Sequence, residues 1–144
     1  MAHGKVAKIA RPATPRRVEP RISASPAIRQ MYWCDFWSDP MLPEMWKTRP
    51  VVVVSYKNSL HGPCLVAACS TDPQEEKSAQ WAHELSASFD GQKTFVVCNH
   101  LYTVSPSRLT ADRKGIPRLT EAEFNQILAK VLRWLPSLPE PPAA

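Results

Sequence analysis

Four consecutive valines, residues 51–54, follow Pro50 near the middle of the sequence. β-branched side chains favour strands, and an apolar run without polar alternation predicts a strand that is covered on both faces. Because proline is tolerated as the first residue of a strand but not in its middle, we expect the strand to begin at Pro50 and to run over residues 50–56. Any fold of this chain must therefore bury this strand completely.

Four other segments have the composition of strands and complete a predicted sheet. They are MYWCDFW (31–37), CLVAACS (64–70), the shorter WAHELSA (81–87) and TFVVCNHLYTV (94–104). Asp90-Gly91 is a favoured hairpin dipeptide, which predicts an antiparallel meander. The connection SDPMLPEMWKT, residues 38–48, is longer than a routine hairpin loop, so we expect it to have a functional role.

The C-terminal part of the sequence predicts one amphipathic helix. Thr120 and Glu123 match a capping box, and Leu119 can pack onto Phe124 as a hydrophobic staple. Apolar residues then recur at helical spacing until Pro136 ends the pattern. The predicted fold class is therefore mainly β, with about five antiparallel strands in a small, partly closed barrel and a C-terminal helix against the sheet.

Basic residues are concentrated at the N-terminus. Residues 1–29 contain seven Lys and Arg against one acid, whereas the other 115 residues contain eleven against twelve. Residues 1–28 also hold four prolines without apolar periodicity. We therefore predict a disordered basic tail over 1–28, a folded domain over 29–136 and a flexible proline-rich segment over 137–144. A basic tail can bind RNA, DNA or acidic lipid by counterion release, and a purely solubilising extension is an equally good interpretation.

Several function classes find no support in the sequence. No apolar run is long enough to span a membrane and no secretory leader is visible, so we expect a cytoplasmic protein. There is no phosphate-binding loop and no GxGxxG, which argues against a nucleotide cofactor. No H-E-x-x-H, paired-cysteine or carboxylate-cluster pattern occurs, so we expect neither a metal nor a cofactor. The cysteines lie mostly in apolar text and are predicted to be buried free thiols: Cys34, Cys64, Cys69 and Cys98.

Arg49 is the first candidate for a chemical role. A residue before proline is held in extended geometry, and the valine strand that follows gives Arg49 a rigid base at the edge of the sheet. A planar, permanently charged guanidinium in that position suits a phosphate or a pentacovalent phosphorane. The alternative is an ordinary ion pair with a nearby carboxylate: Asp35, Asp39 or Glu44.

Hydroxyl and imidazole side chains supply weaker candidates. Ser70 and Thr71 follow the third predicted strand, where a hydroxyl often only caps a turn. His83 shares the parity of apolar neighbours, so a half-buried structural histidine is the favoured interpretation. Asn99 and His100 interrupt an apolar strand, which predicts a bulge or a ligand-facing site because an unsatisfied polar pair there is costly.

Five segments of the sequence form an ordered set: MYWCDFW, the loop that contains Glu44, KTRPVVVVS, LVAACST and FVVCNHLYTVSPSRL. Taken in this order, they resemble the PemK/MazF family of toxins from bacterial toxin–antitoxin systems. The resemblance covers about residues 30–135. The arginine–proline pair before the apolar strand and the later TVSPSRL block contribute most to it.

The resemblance implies an SH3-like small barrel of the CcdB/PemK-like type, a homodimer, and a cognate antitoxin as partner. It also implies an endoribonuclease that cuts single-stranded mRNA without a metal, by attack of the ribose 2′-hydroxyl, and leaves a 2′,3′-cyclic phosphate. Arg49 falls on the family's catalytic arginine, and Ser70 falls on its catalytic Ser/Thr. Glu44 matches an acidic position in the loop between the first two strands, which resembles an RNA contact and a candidate proton acceptor.

The same resemblance extends to residues expected to bind RNA: Lys47, Thr71, His83, Asn99, His100 and Tyr102. Trp46 and Tyr102 are candidates for base stacking. The loop over 38–48 lacks the family's glycines, and Asn99 and His100 stand where the family has an acidic residue and a glutamine. An Asn in place of the acid removes a proton acceptor, and His100 is a candidate replacement.

Two other functions fit the same fold. One is a non-enzymatic toxin that acts by binding a topoisomerase. The other is a catalytically inactive relative that still binds RNA, because Asn99 has replaced the acid. Discrete cuts in RNA would separate the ribonuclease from both.

Overall fold

The computed structural model describes residues 11–142, which contain six β-strands and one α-helix. The strands are β1 (Met31–Asp35), β2 (Thr48–Val53), β3 (Cys64–Ser70), β4 (Ala82–Glu84), β5 (Phe95–Val104) and β6 (Leu109–Thr110), and the helix is α1 (Glu121–Trp134). Two short 3-10 helices, Glu76–Trp81 and Pro106–Arg108, lie in the connections. The mainly β class with a C-terminal helix is confirmed.

All strand pairs are antiparallel, and the strand order in the single sheet is β4-β5-β3-β2-β1-β6. The predicted meander is wrong at one point, because β3 pairs with β5 and not with β4. The hairpin itself is present, since Phe89 and Gln92 bridge across Asp90-Gly91. In the described part of the chain no ladder joins β4 to β6, so the sheet is curled but not closed.

The valine strand divides the protein into two apolar cores. Val51 and Val53 pack in a core on one face of the sheet with Tyr32, Cys34 and Leu109. Val52 and Val54 pack on the other face, in a core that includes three helix residues: Phe124, Ile127 and Val131. Residues 51–53 have no exposed surface, which confirms the prediction of a strand covered on both faces. Apolar burial of this kind contributes roughly 1.5 to 3 kcal/mol for each fully buried valine-sized side chain.

A bulge interrupts the ladder between β3 and β5. Ala67 pairs with Leu101 and Cys69 pairs with Val96, so one residue of β3 faces four residues of β5, 97–100. The extra residues bend β5 and re-aim its side chains. Asn99 and His100 belong to this bulge, as the polar interruption in the sequence predicted.

Helix α1 begins as predicted, but the capping box is only half formed. The Thr120 hydroxyl accepts a hydrogen bond from the Glu123 backbone N–H at 3.2 Å. The Glu123 carboxylate does not return to Thr120, because it accepts hydrogen bonds from Ser86 at 2.9 Å and contacts His83 at 3.0 Å. Glu123 therefore joins the first turn of α1 to the end of β4.

Part of the N-terminal segment packs against the sheet. Ile22 is 6% exposed and belongs to the core of Val51 and Val53, and Pro26 is fully buried. The packed structure therefore extends upstream of residue 29, whereas residues 11–20 have no regular secondary structure. The predicted disorder over 1–28 and 137–144 stays a prediction, and residues 1–10 and 143–144 lie outside the described part.

All four cysteines are buried and free, as predicted. Burial raises the pKa of Cys34 to about 12 and the pKa values of Cys64 and Cys98 to about 11. Thiols with such high pKa values are poor nucleophiles at neutral pH, so they act as small apolar side chains. No helix between residues 11 and 142 has the length and apolar character that a membrane crossing requires.

Candidate active site

The predicted site residues fall into two clefts. The first, which we call the arginine cleft, has a volume of about 200 Å³ and is lined by Lys47, Arg49, Ser70 and Thr71 among others. The second, the histidine cleft, has a volume of about 320 Å³ and is lined by Pro43, Glu44, Asn99, His100, Leu101, Tyr102 and Trp134. Eight of the nine predicted residues therefore line one cleft or the other, and His83 lines neither.

The regular ladder between β2 and β3 positions the two main groups of the arginine cleft. Val51 pairs with Ala68, so continuing this antiparallel register by two residues places Arg49 opposite Ser70. Side chains two apart on a strand point to the same side of the sheet. Arg49 and Ser70 are therefore on the same face as Val51 and Ala68, which pack in one core. A guanidinium and a hydroxyl are thus presented at the same edge of the sheet.

Arg49 makes no ion pair with any residue between 11 and 142. Its Nε donates a hydrogen bond to the Trp46 carbonyl at 3.0 Å, and its guanidinium carbon lies 6.0 Å from the centre of the Trp46 ring. The two ion pairs between residues 11 and 142 are His83–Glu123 and Lys93–Glu84. The predicted alternative, in which a carboxylate neutralises Arg49, is therefore wrong, and the two Nη groups are available to an anion.

Ser70 is nearly buried, with 8% of its surface exposed. Its Oγ accepts a hydrogen bond from the Asp72 backbone N–H at 3.1 Å, which fixes the side chain. Because that contact uses the hydroxyl as an acceptor, its proton remains for donation to a ligand. Thr71 and Lys47 lie in the same cleft and are exposed, and the Lys47 ammonium lies 5.0 Å from the centre of the Trp46 ring.

The histidine cleft is built from irregular backbone. Its floor is the bulge of β5, and its wall is the loop before β2, which is held by a hydrogen bond of 2.8 Å from the Met45 N–H to the Tyr102 hydroxyl. Glu44 lies on this loop, and its carboxylate accepts the Met41 N–H at 2.7 Å. Tyr102 therefore positions the loop, and Glu44 shapes its turn.

His100 has the most unusual environment of the predicted residues. Its Nδ1 is buried and has no hydrogen-bond partner among residues 11–142. Burial lowers the pKa of His100 below its ordinary value of 6.5, and the nearby charge of Arg49 lowers it further. His100 is therefore a neutral imidazole at neutral pH. The charge of Arg49 thus acts on His100, although the two clefts share no lining residue.

His83 is a structural residue in this geometry. Its side chain is 10% exposed, and Nε2 lies 3.0 Å from Oε2 of Glu123. Burial alone would raise the pKa of Glu123, but hydrogen bonds from His83 and Ser86 outweigh that effect and lower it. The structural interpretation of His83 is supported, and its contact with RNA stays a prediction.

Sequence reasoning missed several residues that line the clefts. The arginine cleft is also lined by Trp33, Phe89, Asp90, Gln92 and Thr94, and the histidine cleft is also lined by Trp134. Trp33 lies on β1 opposite Pro50, and its indole N–H donates to Asp112 at 3.0 Å. Trp33 could have been found from the sequence, because it alternates with Tyr32 and Cys34 and so lies on the opposite face of the first strand. Nothing local in the sequence relates Trp134 to the bulge of β5.

The fold is shared with solved structures of MazF proteins. The MazF of Deinococcus radiodurans (form I) is 15% identical, with a TM-score of 0.63 over 78% of this chain and 98% of that one. An endoribonuclease from a mycobacterial species is 21% identical, with a TM-score of 0.58 over 81% and 96% of the two chains. A mycobacterial endoribonuclease in complex with its cognate antitoxin is 20% identical, with a TM-score of 0.58 over 81% and 100%. At these identities the likeness defines a class of fold.

A family model places the chain more narrowly. The model for PemK-like, MazF-like toxins of type II toxin–antitoxin systems matches residues 29–135. The chain therefore belongs to this toxin family, as the ordered segments of the sequence predicted. A comparison with curated proteins gives no match.

Proposed function

We propose that this protein is the toxin of a type II toxin–antitoxin system and that it cleaves single-stranded mRNA. The observation that carries the proposal is the arginine cleft, in which Arg49 has no carboxylate partner and Ser70 lies on the adjacent strand. The family match and the MazF and endoribonuclease neighbours support the same activity.

In the proposed reaction, the ribose 2′-oxygen attacks the adjacent phosphorus in line with the departing 5′-oxygen. The new bond closes a 2′,3′-cyclic phosphate while the bond between phosphorus and the 5′-oxygen breaks. The 5′-oxygen takes a proton from solvent and leaves as a hydroxyl. Negative charge develops on the nonbridging oxygens, where the planar guanidinium of Arg49 can bind two of them. Ser70 donates its proton to the same phosphate, because its contact with the Asp72 backbone N–H uses only a lone pair of the hydroxyl and leaves the O–H as a donor.

The 2′-hydroxyl must lose a proton as it attacks, and two groups of the histidine cleft are candidates to accept it. His100 is neutral at neutral pH because burial and Arg49 lower its pKa, so its imidazole is a competent base. Glu44 is the other candidate, but its carboxylate already holds the Met41 N–H. We assign the proton to His100 and leave Glu44 as an RNA contact and secondary acceptor.

The remaining predicted residues would hold the RNA strand. Lys47 and Thr71 lie beside Arg49 and can bind neighbouring phosphates, whereas Asn99 and Tyr102 lie beside His100 and can contact bases. Trp46 is 47% exposed and offers a surface for base stacking. The protein would act as a homodimer, and a cognate antitoxin would neutralise it. A structural neighbour, the mycobacterial endoribonuclease, was solved in complex with its cognate antitoxin.

The test is product chemistry on a long single-stranded RNA incubated with the purified protein in EDTA. We expect discrete fragments with 2′,3′-cyclic phosphate and 5′-hydroxyl ends, because the proposed reaction uses the RNA's own 2′-hydroxyl and no metal. An RNA methylated on its 2′-oxygens is the control, since it lacks the nucleophile and must stay intact. Inhibition of a topoisomerase without cuts, or retention of RNA without cuts, would replace this proposal by one of the two alternatives.

A further inference from the structure

A row of clefts leads away from the arginine cleft toward the N-terminal segment. The next cleft has a volume of about 450 Å³. Its lining includes the indoles of Trp37 and Trp46, and its cations Lys47 and Arg108 are matched in number by two acids, Asp35 and Asp39. Beyond it lies a cleft of about 400 Å³ between the N-terminal segment and the 3-10 helix Pro106–Arg108. Arg108 lines the 400 Å³ cleft and the 450 Å³ cleft. Lys47 lines the 450 Å³ cleft and the arginine cleft. The surface is therefore continuous from Arg49 to the N-terminal segment.

Basic side chains dominate the far end of this surface. Arg16, Arg17, Arg21 and Arg108 line the last cleft, together with His61. The acids in its lining are Glu19 and Asp35, so the formal charge of the lining is +2 with histidine neutral. Arg108 donates a hydrogen bond to the backbone carbonyl of Asp35 at 2.9 Å and not to its carboxylate, so its charge is not neutralised.

The N-terminal segment is anchored to the domain at three points. The Pro26 carbonyl accepts a hydrogen bond from the Asn58 amide at 3.0 Å, and Ile22 is buried in the core. Farther upstream, the Ser107 hydroxyl donates to the Val18 carbonyl. These contacts hold the backbone on either side of Arg21 beside Arg108. The arginines are thus part of a built surface and not only of a charged tail.

Exposed indoles lie between the cations along the same surface. Trp37 is 39% exposed, and the Arg108 guanidinium lies 5.2 Å from the centre of its ring. Trp46 is 47% exposed beside Lys47 and Arg49. Alternating cations and aromatic faces are the chemistry that binds single-stranded nucleic acid, because phosphates pair with the cations and bases stack on the rings. An acidic peptide would use the cations but not the exposed rings.

We propose that residues 16–21 and Arg108 form a phosphate-binding track that extends the RNA site beyond the arginine cleft. The track takes the single-stranded RNA that flanks the scissile phosphate and adds affinity without taking part in bond cleavage. The proposal rests on the proposed ribonuclease function and names how that site holds a long substrate. It predicts that long RNAs bind more tightly than short ones and that the difference is sensitive to salt.

The test measures binding of 2′-O-methylated RNA, which cannot be cut, to the full chain and to the triple variant R16A/R17A/R21A. RNAs of about 4 and about 16 nucleotides are compared, which are the limits of common single-strand sites. Three phosphate contacts add about 2 to the slope of log affinity against log salt. The wild type should therefore lose about 20-fold more affinity than the variant for the longer RNA between about 50 and about 200 mM salt.

The matched control is K77A/R113A/K114A, which removes the same charge from exposed residues that line none of these clefts. It should bind like the wild type, and the short RNA should bind all three proteins equally. Equal salt slopes for the wild type and R16A/R17A/R21A would overturn the track, as would a loss of affinity in the control equal to that in R16A/R17A/R21A. Normal RNA binding with weakened antitoxin binding in R16A/R17A/R21A would also overturn it, in favour of an acidic peptide. Absence of RNA cleavage by the wild type refutes the ribonuclease instead, because binding of uncut RNA does not depend on it.

Discussion

Opposite kinds of backbone build the arginine cleft and the histidine cleft. Arg49 lies on β2 and Ser70 on the neighbouring β3, and the two strands pair in regular register. Both faces of β2 are buried at residues 51–53. His100 and Asn99 stand on a bulge in β5, and Glu44 stands on a loop that is tied to Tyr102. Regular strands fix a permanent charge at an edge of the sheet, whereas the bulge buries a titratable group whose pKa the surroundings can set. In the proposed mechanism, the arginine cleft therefore stabilises charge and the histidine cleft transfers the proton.

The largest effect should follow from removal of the charge in the arginine cleft. Arg49→Ala should reduce kcat/KM for RNA cleavage by at least about 1000-fold, because no other residue of that cleft can bind two phosphate oxygens at once. The melting temperature should not change, since Arg49 is only partly buried and its hydrogen bond to the Trp46 carbonyl is exposed to solvent. Arg49→Lys is the control for charge without planar geometry and should recover part of the loss. A variant that cuts at the wild-type rate would remove Arg49 from the mechanism.

A smaller effect should follow from removal of the base in the histidine cleft. His100→Gln should lower kcat/KM by about 100-fold at neutral pH, as is typical for the loss of a general base. Because the pKa of His100 is lowered from 6.5, wild-type activity should fall with decreasing pH only below that value, and the variant should lack this acidic limb. Folding stability should fall in the same window, since the unfolded chain takes up the proton more readily. If Glu44→Gln removes the limb and His100→Gln does not, Glu44 is the proton acceptor.

The next effect separates a fixed hydroxyl from an exposed one within the arginine cleft. Ser70→Ala should reduce kcat/KM by about 10-fold, which is the loss expected for one hydrogen bond to a charged group. Thr71→Val is the matched comparison, and we expect a change of less than about threefold because Thr71 is exposed. Single-turnover rates on one RNA substrate measure both. A larger loss for Thr71 than for Ser70 would move the hydroxyl function to Thr71.

The smallest effect on activity should come from His83, which lies outside both clefts. His83→Ala removes the contact with Glu123 and should lower the free energy of unfolding by about 1 to 3 kcal/mol. The cleavage rate per folded molecule and the affinity for RNA should stay unchanged. Chemical denaturation and RNA binding on the same preparation check both. A weaker affinity for RNA with normal stability would restore the predicted RNA contact.

The sequence predicted those parts of the fold that local pattern determines. The burial of the valine strand and the helix after Thr120 are examples, because burial on two faces and helical capping leave marks within a few residues. The predicted bounds of that strand, 50–56, were wrong, since β2 runs over Thr48–Val53. The position of β5 between β3 and β4 could not be read in this way, since strand pairing depends on contacts between distant segments. Strand β6 has two residues, which is too short for any periodicity.

The same limit explains which parts of the site were predicted. Arg49 and Ser70 could be assigned to one edge because both follow from strand boundaries. The placement of Glu44 and Ser70 in different clefts could not be predicted, because it depends on the hydrogen bond that ties the loop of Glu44 to Tyr102. Burial of Ile22 was also missed, since one apolar residue among prolines and arginines carries no pattern.

The most direct test of the account is a double-mutant cycle on Arg49 and Ser70, measured as single-turnover cleavage of one RNA. The variants are R49K, S70A and the double variant, with the pair S70A and E44Q as a comparison across the two clefts. If Arg49 and Ser70 hold one phosphate, the fold-loss of cleavage rate in the double variant should be clearly smaller than the product of the two single fold-losses. For Ser70 and Glu44, the fold-loss in the double variant should equal that product. Losses for Arg49 and Ser70 that simply multiply would contradict the claim that the two side chains act together on the scissile phosphate.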